Sequence, residues 1–274
     1  MISWKDRASW YDRVARWLES RMTLNGLQRL VSSGERDLCW DDDEWLLLLG
    51  SSLNADLDET LDDLGSALDQ AIMRVYHGTR VADAGVFHRE GLKLHDSNAL
   101  MDEARRIVAE EDDLAWMRPS LEARLAEACR RFGSDAGRLY VCIDDRVQLE
   151  HIGHYCLYGS EWISGALGPG ARNVLLRRGL PTMVELDLPL SWVSHSMRTS
   201  LARHLVREWT RAVVNRSDWV PQIDFCFMLQ MPLPSYLVVG HSHQSTLPDL
   251  HDQYRLRRSD VTHCPSCVPN QPTG

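Results

Sequence analysis

The stretch Tyr76-His77-Gly78-Thr79-Arg80 ends an apolar run that begins at Ile72, and a Gly-Leu pair follows at Gly91-Leu92. A histidine at the end of a strand can donate a hydrogen bond to a hydroxyl or hold a carbonyl. The glycine beside it lets another molecule approach the backbone closely. Taken alone, the His-Gly step indicates either a ligand-binding edge or an ordinary end of a strand.

Aromatic and acidic residues follow in an order that bears on this choice. A second strand pattern carries Tyr140, a helical pattern carries Tyr155 and Tyr158 ahead of Glu161, and a final hairpin pattern begins at Asp224. A tyrosine ring can stack on a flat ring of a ligand.

This order of segments resembles the NAD-dependent ADP-ribosyltransferases, in particular their diphtheria-toxin and poly(ADP-ribose) polymerase-like branch. In that branch a first strand ends in His-Gly-Ser/Thr, a second strand carries a tyrosine, a helix carries another aromatic residue, and a closing hairpin begins with an acid. The resemblance covers roughly residues 72–243. It implies an α+β fold whose core is a split antiparallel sheet, and NAD as the co-substrate.

The resemblance also implies roles for single residues. His77 would bind the nicotinamide ribose, Gly78 would bond the nicotinamide amide, and Arg80 would reach the pyrophosphate, since a guanidinium suits phosphate. The implied NAD-binding residues are His77, Gly78, Thr79, Arg80, Tyr155 and Tyr158, and the implied catalytic residues are His77, Tyr140, Asp224 and Glu161. The acid of the third motif is usually Glu in the family, whereas this chain has Asp224; Glu161 and then Glu185 are the rival carboxylates.

The implied function is transfer of ADP-ribose from NAD to a macromolecular acceptor, protein or nucleic acid, with release of nicotinamide. Such an enzyme would act as an intracellular toxin or a phage-defence effector. Two alternatives remain open. One is an RNA 2′-phosphotransferase, whose family also has a His-Gly-Thr strand, and the other is a non-catalytic module that binds NAD or ADP-ribose.

A single Cys-x-x-Cys lies near the C-terminus, in His263-Cys264-Pro265-Ser266-Cys267. A strong zinc pattern needs a second ligand pair at a defined spacing. His241 and His243 could complete such a set, but the ligand count favours a tail with exposed thiols. The sequence therefore predicts no metal.

A basic stripe accompanies the apolar stripe of the helix predicted over residues 196–214. Leu201, Leu205 and Trp209 recur at helical spacing. Positions i and i+2 of a helix are separated by about 200° around its axis. A second stripe, two residues after each member of the apolar stripe, therefore lies roughly opposite it and consists of Arg203, Arg207 and Arg211. Such a stripe is either a solvated face or a phosphate-contacting face for a nucleic-acid acceptor.

Charge is unevenly distributed along the chain of 274 residues, whose net charge is −9. Residues 35–63 hold eleven Asp and Glu against one Arg, so the rest of the chain is nearly neutral. The acidic segment is either a solvated face or a contact surface for an inhibitor or another partner protein. No apolar run is long enough for a membrane span, and the charged N-terminus and scattered cysteines predict a cytoplasmic protein without a membrane partner.

The elements that must position these residues alternate irregularly. Strand patterns begin at Ile72, Leu139 and Leu180, with helical patterns between them. Because regular βαβ units are lacking, the pattern predicts an α+β protein. We expect a helical, partly acidic N-terminal segment over residues 1–70, a catalytic domain over residues 71–252 and a flexible tail over residues 253–274.

Overall fold

The computed structural model describes residues 1–261 and 264–267, apart from the side chain of Ser134. The α-helices are α1 (Tyr11–Glu19), α2 (Gly26–Ser32), α3 (Glu44–Gly50), α4 (Leu57–Ala67), α5 (Gly85–Glu90), α6 (Ser97–Glu110), α7 (Leu121–Phe132), α8 (Asp145–Glu150), α9 (His154–Tyr158), α10 (Glu161–Leu167), α11 (Arg172–Leu175) and α12 (His195–Asn215). The strands are β1 (Ile72–Val81), β2 (Leu139–Cys142), β3 (Leu180–Pro189), β4 (Cys226–Leu229), β5 (Val238–Ser242), β6 (Thr246–Asp249) and β7 (Arg255–Arg258).

Short 3-10 helices connect these elements. They span Arg7–Ser9, Leu68–Gln70, Asp112–Ser120, Gly133–Asp135, Pro169–Ala171, Leu190–Trp192, Ser235–Leu237 and Leu250–Asp252. The two helices expected on either side of Pro119 are α6 and α7, and the residues between them form one of these 3-10 segments. None of the described helices has the length and apolar character that crossing a membrane requires.

The chain forms two compact units, each built from two stretches of sequence. The first unit comprises residues 1–74 and 187–223, and the second comprises residues 75–186 and the described residues from 224 onward. The predicted boundary at residue 70 lies close to the end of the first stretch. The helix predicted over residues 196–214, which we expected in the catalytic domain, belongs instead to the first unit.

The first unit is organised around α12. Its apolar stripe is fully buried, with Leu201 and Leu205 at 0% exposure, and α12 packs against α1, α2, α3 and α4. Gly65 of α4 faces Thr199 so closely that an added Cβ would lie 2.6 Å from the threonine hydroxyl oxygen. A larger residue at Gly65 would therefore separate the two helices, because a packed interior has no space for it. The buried apolar stripe explains why α12 groups with the N-terminal helices.

Polar side chains of α12 face the acidic segment within the same unit. His195 Nε2 lies 2.7 Å from Asp62 Oδ1, and an Arg207 nitrogen lies 3.3 Å from Asp43 Oδ1. Because Arg207 is charged, it partly compensates the negative charge that is concentrated over residues 35–63.

The second unit contains a five-stranded sheet in the order β4-β2-β1-β3-β5. β1 pairs antiparallel with β2, β2 with β4, and β3 with β5; Tyr76 is opposite Cys142, and Cys142 is opposite Cys226. A large apolar core with residues from α6, α7, α9, α10 and α11 includes Tyr76, Cys142 and Met183 of the sheet. The predicted mixture of helices with an antiparallel sheet is confirmed, and the split ADP-ribosyltransferase sheet stays a prediction.

Two segments of the second unit differ from the pattern-based expectation. The helix expected between residues 147 and 167 is divided into α8, α9 and α10, because Gly153 and Gly159 interrupt it; Gly159 has a φ of +78°, a conformation that favours glycine. The expected tail begins with a strand, since β7 pairs antiparallel with β6. Residues 262–263 and 268–274 of the predicted flexible tail lie outside the described residues.

Candidate functional site

His77 contacts the neighbouring strand through the backbone of Tyr140. Its Nδ1 lies 3.0 Å from the Tyr140 carbonyl oxygen. A carbonyl only accepts, so Nδ1 carries the hydrogen and Nε2 remains the acceptor. Burial lowers the pKa of His77 below its ordinary value of 6.5, although the hydrogen bond to Tyr140 opposes this effect. The imidazole at the end of β1 is therefore neutral near pH 7 and oriented by β2.

The Tyr140 side chain is directed to a different partner. Its ring is 43% exposed, and its hydroxyl donates to Asp135 Oδ1 over 3.3 Å. His77 thus meets the backbone of Tyr140 and not its hydroxyl. The two predicted catalytic residues are adjacent, but their functional groups do not bond to each other.

Gly78 is the position where β1 and α9 come into contact. A Cβ added at Gly78 would lie 2.5 Å from Gln148 Oε1 and 3.1 Å from Cys156 Sγ. The N–H of Thr79 donates to the same Cys156 sulfur. Glycine is therefore needed for close packing, and the predicted NAD-binding residues Gly78 and Thr79 hold α9 against the end of β1.

Arg80 is bound by backbone carbonyl groups. Its guanidinium donates to the carbonyl oxygens of Arg178 at 3.0 Å and Cys156 at 3.2 Å, and also to that of Leu176. Burial lowers the pKa of Arg80 to about 10. The group that was expected to reach a pyrophosphate therefore fastens the end of α9 and the loop after α11.

The two predicted carboxylates Glu161 and Asp224 both act on Tyr155. The Tyr155 hydroxyl donates to Glu161 Oε2 over 3.0 Å. Burial raises the pKa of Tyr155 first of all, the negative charge of Glu161 raises it further, and Asp224 adds a smaller effect of the same sign. Both carboxylates are exposed. The structure thus joins a half-buried phenol on α9 to the exposed Glu161, and the exposed Asp224 acts on the same phenol electrostatically.

Tyr158, the other predicted stacking residue, is part of a buried network. It is 4% exposed, and its hydroxyl lies 2.5 Å from Asp249 Oδ2. Asp249 also accepts from Arg257 Nε over 3.0 Å, and the guanidinium of Arg172 lies 5.8 Å from the centre of the Tyr158 ring. This network fastens α9 to β6 and β7, so Tyr155 is the more accessible of the two tyrosines.

Buried polar atoms lie beside Gly78 and Tyr155. Gln148 Oε1 and His154 Nδ1 are both buried and have no hydrogen-bond partner among the described residues. The His154 ring centre lies 4.1 Å from that of Tyr155 and 5.6 Å from that of His251. Burial lowers the pKa of His154, so its ring stays neutral at pH 7. Unpaired buried atoms of this kind are costly and are suited to hydrogen bonds from a ligand.

The predicted substrate-binding arginines lie in the first unit. Arg207 and Arg211 are 7% and 5% exposed. Arg211 donates to both carboxylate oxygens of Glu208, and Arg207 donates to the carbonyl oxygen of Asp41. Arg203 is more exposed and pairs with Asp58 at 3.4 Å. Arg207 and Arg211 therefore stabilise the first unit and do not form an exposed stripe for phosphate.

The remaining rival carboxylate, Glu185, lies on β3. It pairs with Gly240 of β5, next to a register shift between Glu185 and Leu186. It is half-buried. Glu185 therefore lies in the strand ladder, whereas Glu161 and Asp224 both raise the pKa of Tyr155.

A second group of reactive side chains lies elsewhere in the second unit. One ligand atom from each of His241, His243, Cys264 and Cys267 lies within 4.8 Å of the others. All seven cysteines are among the described residues, and all are free thiols. The sequence analysis named His241 and His243 as residues that could complete a set with the two cysteines, but it favoured exposed thiols on ligand count.

Four residues that lie around Gly78, Tyr155 and Tyr158 were not assigned a role from the sequence. Gln148, His154, Asp249 and His251 come from α8, α9, β6 and the turn after it. No local pattern distinguishes them, because buried histidines and acids at strand ends are common as ordinary hydrogen-bonded side chains.

Comparisons with family models, curated proteins and solved structures find no match to this chain.

Proposed function

We propose that the chain transfers ADP-ribose from NAD to a macromolecular acceptor and releases nicotinamide. The observation that carries the proposal is the contact of Gly78 with Cys156, which holds α9 against the end of β1. In this way the neutral imidazole of His77 and the Tyr155–Glu161 pair belong to one compact unit. The acceptor class, protein or nucleic acid, is part of what the experiment determines.

Each side chain has a role in the proposed reaction. Nε2 of His77 accepts a hydrogen bond from a hydroxyl of the nicotinamide ribose, and the ring of Tyr155 stacks on the nicotinamide. Gln148 Oε1 accepts from the carboxamide N–H₂, which supplies the partner that this buried atom lacks among the described residues. Cleavage of the nicotinamide–ribose bond leaves positive charge on the sugar, so a nearby carboxylate stabilises the transition state.

Asp224 and Glu161 are the candidate carboxylates for this charge. Glu161 Oε2 accepts a hydrogen bond from the Tyr155 hydroxyl, so one of its two oxygens is already occupied. Asp224 is exposed at the start of the hairpin that contains β4, the position of the family's third motif. We assign charge stabilisation to Asp224 and positioning of Tyr155 to Glu161.

A non-catalytic module that binds NAD or ADP-ribose is the second candidate. One observation supports it: the Tyr140 hydroxyl, which the resemblance assigns to catalysis, is turned to Asp135. The Arg80 guanidinium, which is occupied by three carbonyl groups, does not distinguish the two candidates, because both would bind the pyrophosphate of the ligand.

The test is release of nicotinamide from NAD by the purified full chain, with and without a cell lysate. The variants are His77→Ala, Asp224→Asn and Glu161→Gln, with Asp112→Asn as a matched control because that carboxylate is fully exposed in another segment. We expect release that depends on lysate, is lost with His77→Ala and Asp224→Asn, and is unchanged with Asp112→Asn.

The outcomes separate the two candidates. NAD labelled in its adenylate part then identifies the acceptor, since protease removes the label from protein and nuclease removes it from nucleic acid. NAD binding without release supports the non-catalytic module. The absence of both binding and release contradicts both candidates and leaves the His-Gly step as an ordinary part of β1.

A further inference from the structure

Four metal-ligating side chains meet between β5 and the turn Cys264–Cys267. His241 lies on β5 and His243 directly follows it, and one ligand atom of each of the four residues is within 4.8 Å of the others. A tetrahedral zinc site has Zn–S distances near 2.3 Å and Zn–N distances near 2.1 Å, so its donors are roughly 3.3–3.8 Å apart. The observed spacing therefore needs only a small contraction to hold the ion.

His243 has the hydrogen bonding of a metal-bound histidine. Its Nδ1 lies 2.9 Å from the carbonyl oxygen of Pro181, so Nδ1 carries the hydrogen. Its Nε2 is buried and has no hydrogen-bond partner among the described residues. A ligating histidine usually donates its other ring N–H to a carbonyl or carboxylate, which fixes the tautomer. His243 Nε2 is thus directed to the cluster by the contact of Nδ1 with the Pro181 carbonyl.

His241 and the two cysteines complete the set. His241 Nε2 lies 3.0 Å from Cys267 Sγ, and its Nδ1 lies 2.9 Å from His88 Nε2. Cys264 is 6% exposed, and its sulfur accepts hydrogen bonds from the backbone N–H groups of Ala84 and Ser266.

We propose that His241, His243, Cys264 and Cys267 bind one Zn²⁺ as a closed structural site. Two nitrogen and two sulfur donors select zinc over Mg²⁺ or Ca²⁺, which prefer oxygen. Four protein ligands fill a tetrahedral site, so no position remains for a substrate or a catalytic water. This proposal replaces the expectation from spacing that the chain has no metal, and it is independent of the proposed transferase activity.

The ion would fasten the C-terminal turn to an edge of the sheet. β5 is the last strand in the order β4-β2-β1-β3-β5, and edge strands need cover against unwanted pairing. Ser266 Oγ donates to Asp83 Oδ1 over 2.7 Å, so the same turn also contacts the residues that follow β1. The hydrogen bond between Ser266 and Asp83 therefore also holds the turn Cys264–Cys267 in position.

The experiment measures metal in the untagged full chain, purified without chelator, by elemental mass spectrometry. We expect about one zinc per chain, and its loss in Cys264→Ser, Cys267→Ser and His243→Ala. Cys39→Ser and Cys129→Ser are the matched controls, because neither cysteine lies in the cluster, and both should retain the zinc.

Cobalt gives an independent measurement on the wild-type chain, so the test does not depend on whether a variant folds. Apoprotein titrated with Co²⁺ should develop thiolate-to-cobalt charge-transfer bands and the visible bands of a tetrahedral site, which added Zn²⁺ abolishes. Binding without thiolate bands, zinc that persists in all three ligand variants, or no binding of either metal by the reduced chain would each overturn the proposal. A Cys264–Cys267 disulfide that forms in the presence of zinc would overturn it as well.

Discussion

The sulfur of Cys156 on α9 lies against the backbone of Gly78 on β1, 3.1 Å from the place where a Cβ would stand. Gln148 Oε1 occupies the space on another side of the same glycine, only 2.5 Å from that place. This contact holds Tyr155 and the end of β1 together, so the size of residue 78 controls the geometry of the proposed NAD site.

Replacing Gly78 by alanine tests this contact. We expect Gly78→Ala to lower the free energy of unfolding by about 1–3 kcal/mol, because the new methyl group overpacks a filled site. Gly240→Ala on β5 is the matched control, since no atom lies within 4 Å of its added Cβ. Urea denaturation of both variants measures the difference.

A double variant identifies the source of the strain. Gln148→Ala removes the nearest atom, so Gly78→Ala combined with Gln148→Ala should regain part of the stability lost by Gly78→Ala alone. Such non-additivity is expected for residues in contact. Strict additivity of the two free-energy changes would show that Gln148 does not crowd position 78.

His77 gives a prediction about pH that rests on the proposed NAD site. Burial lowers its pKa, so Nε2 should stay unprotonated and able to accept a ribose hydroxyl as the pH falls from 8 through the ordinary histidine value of 6.5. We expect NAD affinity to be constant over this interval, and His77→Ala to weaken it by about 10- to 100-fold through loss of one hydrogen bond. Calorimetric titration at several pH values measures both.

An affinity that declines with a midpoint at 6.5 or higher would contradict this account of His77. His151→Ala is the control for the substitution itself, because that histidine is exposed after α8. Equal losses of NAD affinity in His77→Ala and His151→Ala would show that the loss does not come from a contact of His77 with NAD.

The local part of the fold was predictable from the sequence. β3 has the predicted bounds Leu180–Pro189, because apolar alternation between two prolines leaves few other conformations. The strand before the His-Gly step was predicted, but its end was not: β1 extends through His77 and Gly78 to Val81. Patterns of short range are sufficient where the residues that form an element are also neighbours in sequence.

The assembled clusters were not predictable in the same way. Tyr158 meets Asp249, and His243 is grouped with Cys264, only because distant segments pack together. The amphipathic pattern of α12 suggested a solvated basic face, yet Arg207 and Arg211 are buried. Periodicity reports which residues share a face, but it does not report whether a salt-bridged arginine on that face is covered.

His204 on α12 makes the stability of the first unit depend on pH. Burial first of all, and then the charges of Arg207 and Arg203, lower its pKa to about 4. Between the unfolded value of 6.5 and about 4 the unfolded chain binds a proton that the folded chain does not, so stability is full above 6.5 and declines as the pH falls. We expect His204 to contribute about 1–2 kcal/mol to this decline after solvent screening.

The comparison is between wild type and His204→Gln, which cannot gain the proton. Urea denaturation at pH 7 and pH 4.5 should show a smaller loss of stability for His204→Gln than for wild type. His151→Gln, with an exposed histidine, should behave as wild type. An identical loss in all three proteins would contradict the assignment to His204.

The buried carboxylate Glu208 gives the largest expected change in stability. Its side chain is 1% exposed; Arg211 Nε lies 2.7 Å from one oxygen and an Arg7 nitrogen lies 2.5 Å from the other. Removing one partner of a buried pair costs about 3–5 kcal/mol because a charge is left without compensation. We expect Arg211→Ala to reach the lower part of this range, since Arg7 remains.

Arg203→Ala is the matched control on the same helix, because its pair with Asp58 is exposed and should contribute about 0–1 kcal/mol. Chemical denaturation measures the free energy of unfolding of both variants. A nucleic-acid binding assay at several salt concentrations, at a temperature where both variants are folded, then distinguishes pairing with a carboxylate from contact with phosphate. Binding that is weakened by Arg211→Ala at unchanged stability would show that this arginine contacts phosphate. Lost stability with unchanged binding supports its role as the partner of Glu208, because a side chain occupied by a buried carboxylate cannot also neutralise a phosphate at the surface.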